Sequence, residues 1–323
     1  MRVVAAKTAD GCYSSAPQAL VKSEAGRLSA LWQCSEEQEL EARVLSEVED
    51  QQDGLVDLQV EEVAWASASF SVSTAASSDG FHCRHIRMLP AKAVEVVTVF
   101  LRCIELIGRL PTQLMVLLSV MIPKSSAGFR ALGIYPFLYR VWAKARRYQL
   151  RSWERKHRQK WFSWASGNSC VEAIWWQAVE VERYASSGGA VAAFMWDLSN
   201  YYEHFSRPLL IERAIKMGFP RNILRVAMAM HTTKRVVSMA GLIEAVGFPK
   251  KGIVAGGAFA THLVVAYCAE QFATFVETHP NVTLNVQIDD VQVMSAAPND
   301  NIVVPDLYEA ADSMVTLIDA GLK

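Results

Sequence analysis

The sequence predicts an α+β fold. Three observations carry that expectation. From residue 190 onward the segments read β, α, α, ββ, α, ββ, α, which suits a packed antiparallel sheet better than a βαβ parallel one. Val282, Leu284, Val286 and Ile288 alternate with polar neighbours, as a half-buried strand does. Upstream, Val94, Val97, Leu101 and Ile104 recur at helical spacing behind Pro90.

The remaining elements follow in chain order. Residues 1–20 carry no period and read as loose. Ser35-Glu36-Glu37-Gln38 is a capping-box pattern, with Leu40, Val44, Leu45 and Val48 behind it. Residues 67–78 form a Ser/Ala-rich connector, and residues 114–122 an apolar run that fits a buried strand. Residues 137–161 read as one helix. Leu138, Val141, Trp142, Ala145, Tyr148 and Trp153 form its apolar stripe. Arg140, Lys144, Arg147, Arg151, Arg155 and Arg158 step by 4, 3, 4, 4 and 3 along the opposite face. Ser169 with Glu172 caps a helix that closes at Gly188-Gly189. A strand runs to Asp197, and a helix opened by Ser206 and Pro208 closes at Gly218 and Pro220. A hairpin turns at Ala240-Gly241. A glycine-bearing turn over 252–257 leads into a long apolar helix, Asp289-Asp290 makes a tight turn, and a last helix covers about 304–320.

Composition narrows the function classes. Hydrophobic residues make up 51% of the 323, enough for a sizeable core. The apolar run at 114–122 is far too short for a membrane span, and the N-terminus lacks a signal-peptide pattern. The six cysteines, Cys12, Cys34, Cys83, Cys103, Cys170 and Cys268, form no CxxC pair, which argues against a zinc site or disulfide framework. The net charge of −1 conceals segregation. Residues 1–80 carry 5 Lys/Arg against 14 Asp/Glu, whereas residues 81–160 carry 16 against 3. So dense a basic block suggests a polyanionic partner, nucleic acid first, although a solvated basic face is the plainer reading of composition alone. His82, Cys83 and His85 lack a second metal-ligand pair and read as packing; His204, His231 and His262 read as structural. Trp161 and Trp164 are candidates for base stacking.

Two acidic clusters point to chemistry. Asp197 ends the run Ala190-Val191-Ala192-Ala193-Phe194-Met195-Trp196, and Asp289-Asp290 lies between two apolar segments. Carboxylates beside so much apolar sequence are costly without a positive partner, and divalent metal is the simplest one. Two hard cations roughly 4 Å apart, held by a few aspartates, clamp an in-line phosphoryl transfer. That chemistry fits a polymerase-type palm. Each cluster alone also fits an ordinary turn or cap.

Further motifs then form a pattern. Asp79-Gly80-Phe81, Ile122-Pro123-Lys124 with Phe129-Arg130-Ala131-Leu132, Tyr139 to Lys144, Gly167-Asn168-Ser169, Asp197-Leu198-Ser199-Asn200-Tyr201-Tyr202-Glu203, Gly252 to Ala258, and Gln287-Ile288-Asp289-Asp290 occur in one order. Over roughly residues 76–323 the chain resembles the reverse transcriptase domain of non-long-terminal-repeat (LINE-type) retrotransposons. The resemblance implies a right-hand polymerase fold with fingers and palm, the palm bearing an antiparallel ferredoxin-like sheet with packed helices. It divides the chain into an acidic, partly helical extension (1–75), a fingers-like region (76–188) and a palm (189–323) that stops before the thumb. It implies RNA-directed DNA synthesis with two Mg²⁺ or Mn²⁺ ions on Asp197, Asp289 and the Leu198 carbonyl, and Asp290 in support. Lys124 and Arg130 would grip the triphosphate, Tyr202 would block a ribose 2′-hydroxyl, and Gly256 would let the backbone approach the base pair. The partners implied are an RNA template, a DNA primer and a deoxynucleoside triphosphate. The basic face from Arg140 to Arg158 would track phosphates.

The chain departs from the family pattern at Ala255, where glutamine is usual, and at Ala258, where proline is. Gln287-Ile288 replaces the aromatic element before Asp-Asp, and Tyr201 fills a position that is usually small. A non-catalytic nucleic-acid-binding remnant of a retroelement is the alternative. A metal-dependent phosphatase is less suited, because the Asp-x-Asp nucleophile pattern is missing.

Overall fold

The computed structural model describes residues 6–8, 12–33, 56–124, 128–163 and 169–319. The capping box at Ser35 and its helix, Trp164 and Gly167-Asn168 lie outside them. The described elements, in chain order, are β1 (Ala6–Lys7), β2 (Tyr13–Ser14), α1 (Pro17–Leu31), α2 (Val60–Ala68), α3 (Ala91–Ile107), β3 (Val116–Pro123), β4 (Phe129–Ile134), α4 (Phe137–Arg146), α5 (Arg151–Lys156), α6 (Cys170–Ser186) and β5 (Ala190–Asp197). They continue with α7 (Tyr201–His204), α8 (Arg207–Lys216), α9 (Arg221–His231), β6 (Lys234–Met239), β7 (Leu242–Gly247), α10 (Ala260–Thr278), β8 (Val282–Gln287), β9 (Asp290–Ala297) and α11 (Asp300–Leu317). The fold is α+β with mixed sheets. None of the described helices is long and apolar enough to cross a membrane.

The chain forms two compact units. The first joins residues 1–150 to 206–260, and the second joins 151–205 to 261–323. These limits cut across the division at 75/76 and 188/189 expected from the sequence. The reason lies in the first unit's sheet, ordered β4-β3-β6-β7. β3 pairs antiparallel with β4 and parallel with β6, matching Val116 to Lys234 and Val120 to Ser238. That pairing recruits residues from well beyond 188 into the N-terminal unit.

Two clusters stabilise the first unit. Leu20, Val21, Ala25 and Leu28 of α1, with Trp32 beyond its end, pack on Met121, Val237 and Met239 of the sheet. Burial of a side chain of this size contributes about 1.5–3 kcal/mol. The region 1–20, expected to be loose, in fact leads into α1 at Pro17, whose fixed φ suits the first helical turn. Elsewhere Glu105 of α3 is a buried acceptor for Arg146 and for the Trp142 indole N–H, at 2.6 Å from the latter. Asp79 accepts from the Phe81 N–H at 3.0 Å and from the Phe137 N–H at 2.8 Å, so it ties the 79–81 turn to the start of α4.

The long helix expected over 137–161 is broken. α4 ends at Arg146, a 3₁₀ turn covers Arg147–Leu150, and α5 covers Arg151–Lys156. Arg146, which lies off the expected basic face, turns inward to Glu105.

The second unit is built on an antiparallel sheet ordered β5-β9-β8. α11 packs along β9 and β5, and α6 reaches β9 through Gln177 and Gln292. Ser169 Oγ accepts the Glu172 N–H at 3.4 Å, as its capping pattern predicts. α11 begins at Asp300, ahead of the expected start near 304, and accommodates Pro305 within its second turn.

Candidate active site

The second unit sets two of the three aspartates face to face. Full antiparallel pairing of β5 with β9 sets Asp197 directly opposite Asp290. Facing residues in such a ladder have Cβ atoms about 4.5–5.5 Å apart. Two carboxylates at facing positions repel unless a cation lies between them. Both side chains are exposed, so hydration bears much of that cost. Asp289 occupies the hairpin turn between β8 and β9, and its carbonyl accepts the Leu198 N–H at 2.9 Å. The end of one strand is thereby tied to the tip of the adjacent hairpin.

The turn itself is strained. Its central residues are Ile288 and Asp289, one position earlier than the Asp-Asp pair expected from sequence, because Asp290 already pairs with Gln287. Ile288 has φ +62, a left-handed conformation that a β-branched side chain rarely adopts. Strain of this kind costs of order 1–3 kcal/mol and persists only where surrounding contacts enforce it. Here the enforcement is visible on the outer edge of β8. The Val286 N–H donates to the Trp161 carbonyl at 2.7 Å, and the Ser163 N–H donates to the Val286 carbonyl at 3.1 Å. Ser163 Oγ adds a bond to Asn285 Oδ1 at 2.8 Å.

Tyr201 and Tyr202 flank the site. Tyr201 is buried, its ring 4.9 Å from Phe205, which lies 4.2 Å from Tyr267. The unusual size of residue 201 is therefore spent on anchoring the short α7. Tyr202 is half-buried. Burial, with the carboxylates of Asp289 and Glu203 next in weight, pushes its phenol up to about 12, so it stays a neutral wall beside Asp289. Among the described residues no group of three or more His, Cys, Asp or Glu forms a ready metal cage. Magnesium does not require one, since it is commonly held by one or two carboxylates completed by substrate phosphates and water. The paired Asp197 and Asp290, with Asp289 at the turn, fit that donor set.

The first unit carries the other candidate residues. Lys124 and Arg130 are both exposed and sit near the tip of the β3–β4 hairpin, where Ile122 pairs with Arg130. Gly256 has φ +88, and a Cβ there would meet Leu132 Cδ1 at 2.9 Å. Leu132 lies two residues along β4 from Arg130, about 6.6 Å at the usual strand rise. Arg130 and the glycine loop thus share β4, and the Lys124 N–H donates to the Gly128 carbonyl, one residue before that strand, at 3.0 Å.

The basic residues divide into two groups. Arg140 Nη1 donates to the Ala75 carbonyl at 2.6 Å, and Lys144 Nζ donates to the Ser69 carbonyl at 2.9 Å. Both cations also lie over the Phe70 ring, Lys144 at 4.1 Å. They fasten the 69–75 segment, so the expectation of one exposed six-residue ridge does not hold for them. Arg147, Arg151, Arg155 and Arg158 are exposed. His82 and His85 cap one another's turn, His82 Nδ1 accepting the Arg84 N–H at 3.1 Å and His85 Nδ1 the His82 N–H at 3.3 Å.

Sequence reading missed what holds the glycine loop. The Val254 N–H donates to His231 Nδ1 at 3.2 Å, and the Gly133 N–H donates to the Ala255 carbonyl at 3.2 Å. Arg207 donates to the Pro249 carbonyl at 3.0 Å and the Gly252 carbonyl at 3.4 Å. A lone histidine in an apolar helix gives no sequence signal of such a role. No family model matches the chain, and no curated protein matches it.

Proposed function

We propose that the chain is a template-directed nucleotidyltransferase of the reverse transcriptase type, joining a deoxynucleoside triphosphate to a primer 3′-hydroxyl. One observation carries the reading: Asp197 and Asp290 are cross-strand partners, with Asp289 in a strained turn tied to Leu198. Backbone strain of this kind clusters at active sites and ligand clamps, which favours a functional reading of the Ile288 turn.

In this reading Asp197 and Asp289 hold divalent cations, and Asp290 adds negative charge from the adjacent strand. Bound magnesium would lower the pKa of the attacking hydroxyl and neutralise the leaving pyrophosphate. The chain's own residues orient the reactants. Tyr202, neutral and half-buried, presents a rigid aromatic wall against which a ribose 2′-hydroxyl would clash. In the first unit, the Arg130 guanidinium offers a planar fork for phosphate oxygens and the Lys124 ammonium a mobile point charge. RNA template and DNA primer are the macromolecular partners, with Arg147, Arg151, Arg155 and Arg158 as exposed phosphate contacts.

The test is primer extension on an RNA template with Mg²⁺, comparing wild type with Asp289→Asn. Loss of a metal-holding carboxylate removes several kcal/mol of charge stabilisation. At about 1.4 kcal/mol per decade, the variant should extend at least about 100-fold more slowly. Equal extension by both proteins would reject the assignment. Tight, salt-sensitive nucleic-acid binding without extension by wild type would instead support the non-catalytic remnant.

A further inference from the structure

The loop over 252–257 is held from several sides within the first unit. Arg207 grips the Gly252 carbonyl, His231 takes the Val254 N–H, and β4 takes the Ala255 carbonyl. The fit is close. A Cβ on Gly133 would stand 2.1 Å from Val254 Cγ1, and one on Gly257 would stand 3.0 Å from the Tyr135 hydroxyl. Tyr135 Oη is itself 3.3 Å from His231 Nδ1.

We infer that His231 is the positioning residue of an anion-binding platform formed by Gly256, Arg130 and Lys124. That the anion is the triphosphate of a nucleotide rests on the polymerase reading; the clamp rests on geometry alone. Val254 and His231 are both buried, so the Val254 N–H cannot turn to water if its acceptor is removed. Nδ1 accepts only when the ring is neutral with its proton on Nε2. Burial, then the charges of Arg235 and Arg207, hold the imidazole pKa well below its usual value and keep that acceptor available. Removing it leaves a buried donor unpaired and releases the segment that ends at Gly256. Gly256 then loses its seat against Leu132, and with it the fixed distance to Arg130. The exposed cations alone do not define a site, because their long side chains are mobile. A pinned backbone gives the anion a rigid wall against which those cations close.

The chemistry of substitution makes this separable from packing. In His231→Asn the Oδ1 atom falls close to the position of Nδ1 and can accept the same N–H. His231→Leu fills similar space but accepts nothing. Gly133→Ala displaces Val254 from the opposite side and leaves His231 untouched. On the full chain, each variant is compared with wild type by amide hydrogen exchange over 252–257 without ligand, by Mg²⁺–dTTP binding, and by primer extension. His231→Leu and Gly133→Ala should speed exchange in the loop and weaken dTTP binding about tenfold or more, the usual scale for an orphaned buried donor. In extension the loss should fall mainly on KM for dTTP. His231→Asn should restore exchange and binding to near wild type. If His231→Leu leaves loop exchange and dTTP affinity unchanged, or if His231→Asn is as damaging as His231→Leu, the inference is overturned. If loop exchange and dTTP binding respond as expected while wild type fails to extend a primer, the platform stands and the polymerase reading fails.

Discussion

At the residue scale, burying an ionisable group is where this chain takes its largest risks, and His231 shows how one is buried by being kept neutral. The ring is shared by Val254 and Tyr135 and lies near Arg235 and Arg207. Its pKa in the fold is depressed, whereas in the unfolded chain it takes the ordinary value of about 6.5. Above that value both states are neutral, and stability does not depend on this group. As pH falls below about 6.5, the unfolded chain binds a proton that the folded chain refuses. Stability should then decline by up to about 1.4 kcal/mol per pH unit until the folded pKa is reached. Urea denaturation of wild type and His231→Asn between pH 7 and 5 checks this. The carboxylates contribute equally to both proteins, so the difference between their slopes isolates the imidazole, and parallel slopes would contradict the assignment. Sequence could place His231 on an apolar helix, but not reveal that a backbone N–H more than twenty residues later needs its nitrogen.

At the element scale, periodicity was informative where one face decides the structure. The helix from Ala91, capped by Gly108 at φ +80, follows its stripe of Val94, Leu101 and Ile104. The hairpin at Ala240-Gly241 has both turn residues at positive φ, as its composition suggests. Periodicity misled at 137–161, because a run of arginines at helical spacing does not show which basic side chains turn inward. Arg146, one position off the basic stripe, is claimed by Glu105. The six basic residues of the stripe have different tasks. Arg140 and Lys144 spend their donors on the distant Ala75 and Ser69 carbonyls and lie over the Phe70 ring, while Arg155 donates locally to the Arg151 carbonyl at 3.3 Å and Arg151, Arg155 and Arg158 are exposed. The salt dependence of RNA binding should separate them. Replacing Arg151, Arg155 and Arg158 by alanine should reduce the log–log slope by roughly 0.7–0.9 for each phosphate no longer neutralised. Replacing Arg140 and Lys144 should leave the slope unchanged and lower stability instead. A smaller slope in the Arg140/Lys144 double variant would restore the ridge read from sequence.

At the scale of the whole molecule, the candidate site was more legible than the architecture. Asp197, Asp289 and Asp290 stand at segment ends that sequence can locate, and one strand register sets Asp197 opposite Asp290. The two compact units were not legible, because they depend on β3 finding β6 across more than a hundred residues, and nothing in either strand's alternation names its partner. The first unit therefore depends on long-range pairings reinforced by a few buried anchors, of which Glu105 is the most exacting. It joins α3 to α4 by accepting from both Arg146 and Trp142. Glu105→Ala would leave the Arg146 guanidinium buried without its carboxylate, a loss of about 3–5 kcal/mol. Replacing the pair together, Glu105→Leu with Arg146→Met, should cost much less, because no charge is then left uncompensated. Denaturant melts followed by hydrogen exchange in α3, α4 and β3 would compare the variants. Strong loss of protection in Glu105→Ala that the double variant largely recovers would identify buried charge as the cause. Equal loss in both would instead assign the anchor to shape, and the ion pair would be incidental to the stability of this unit.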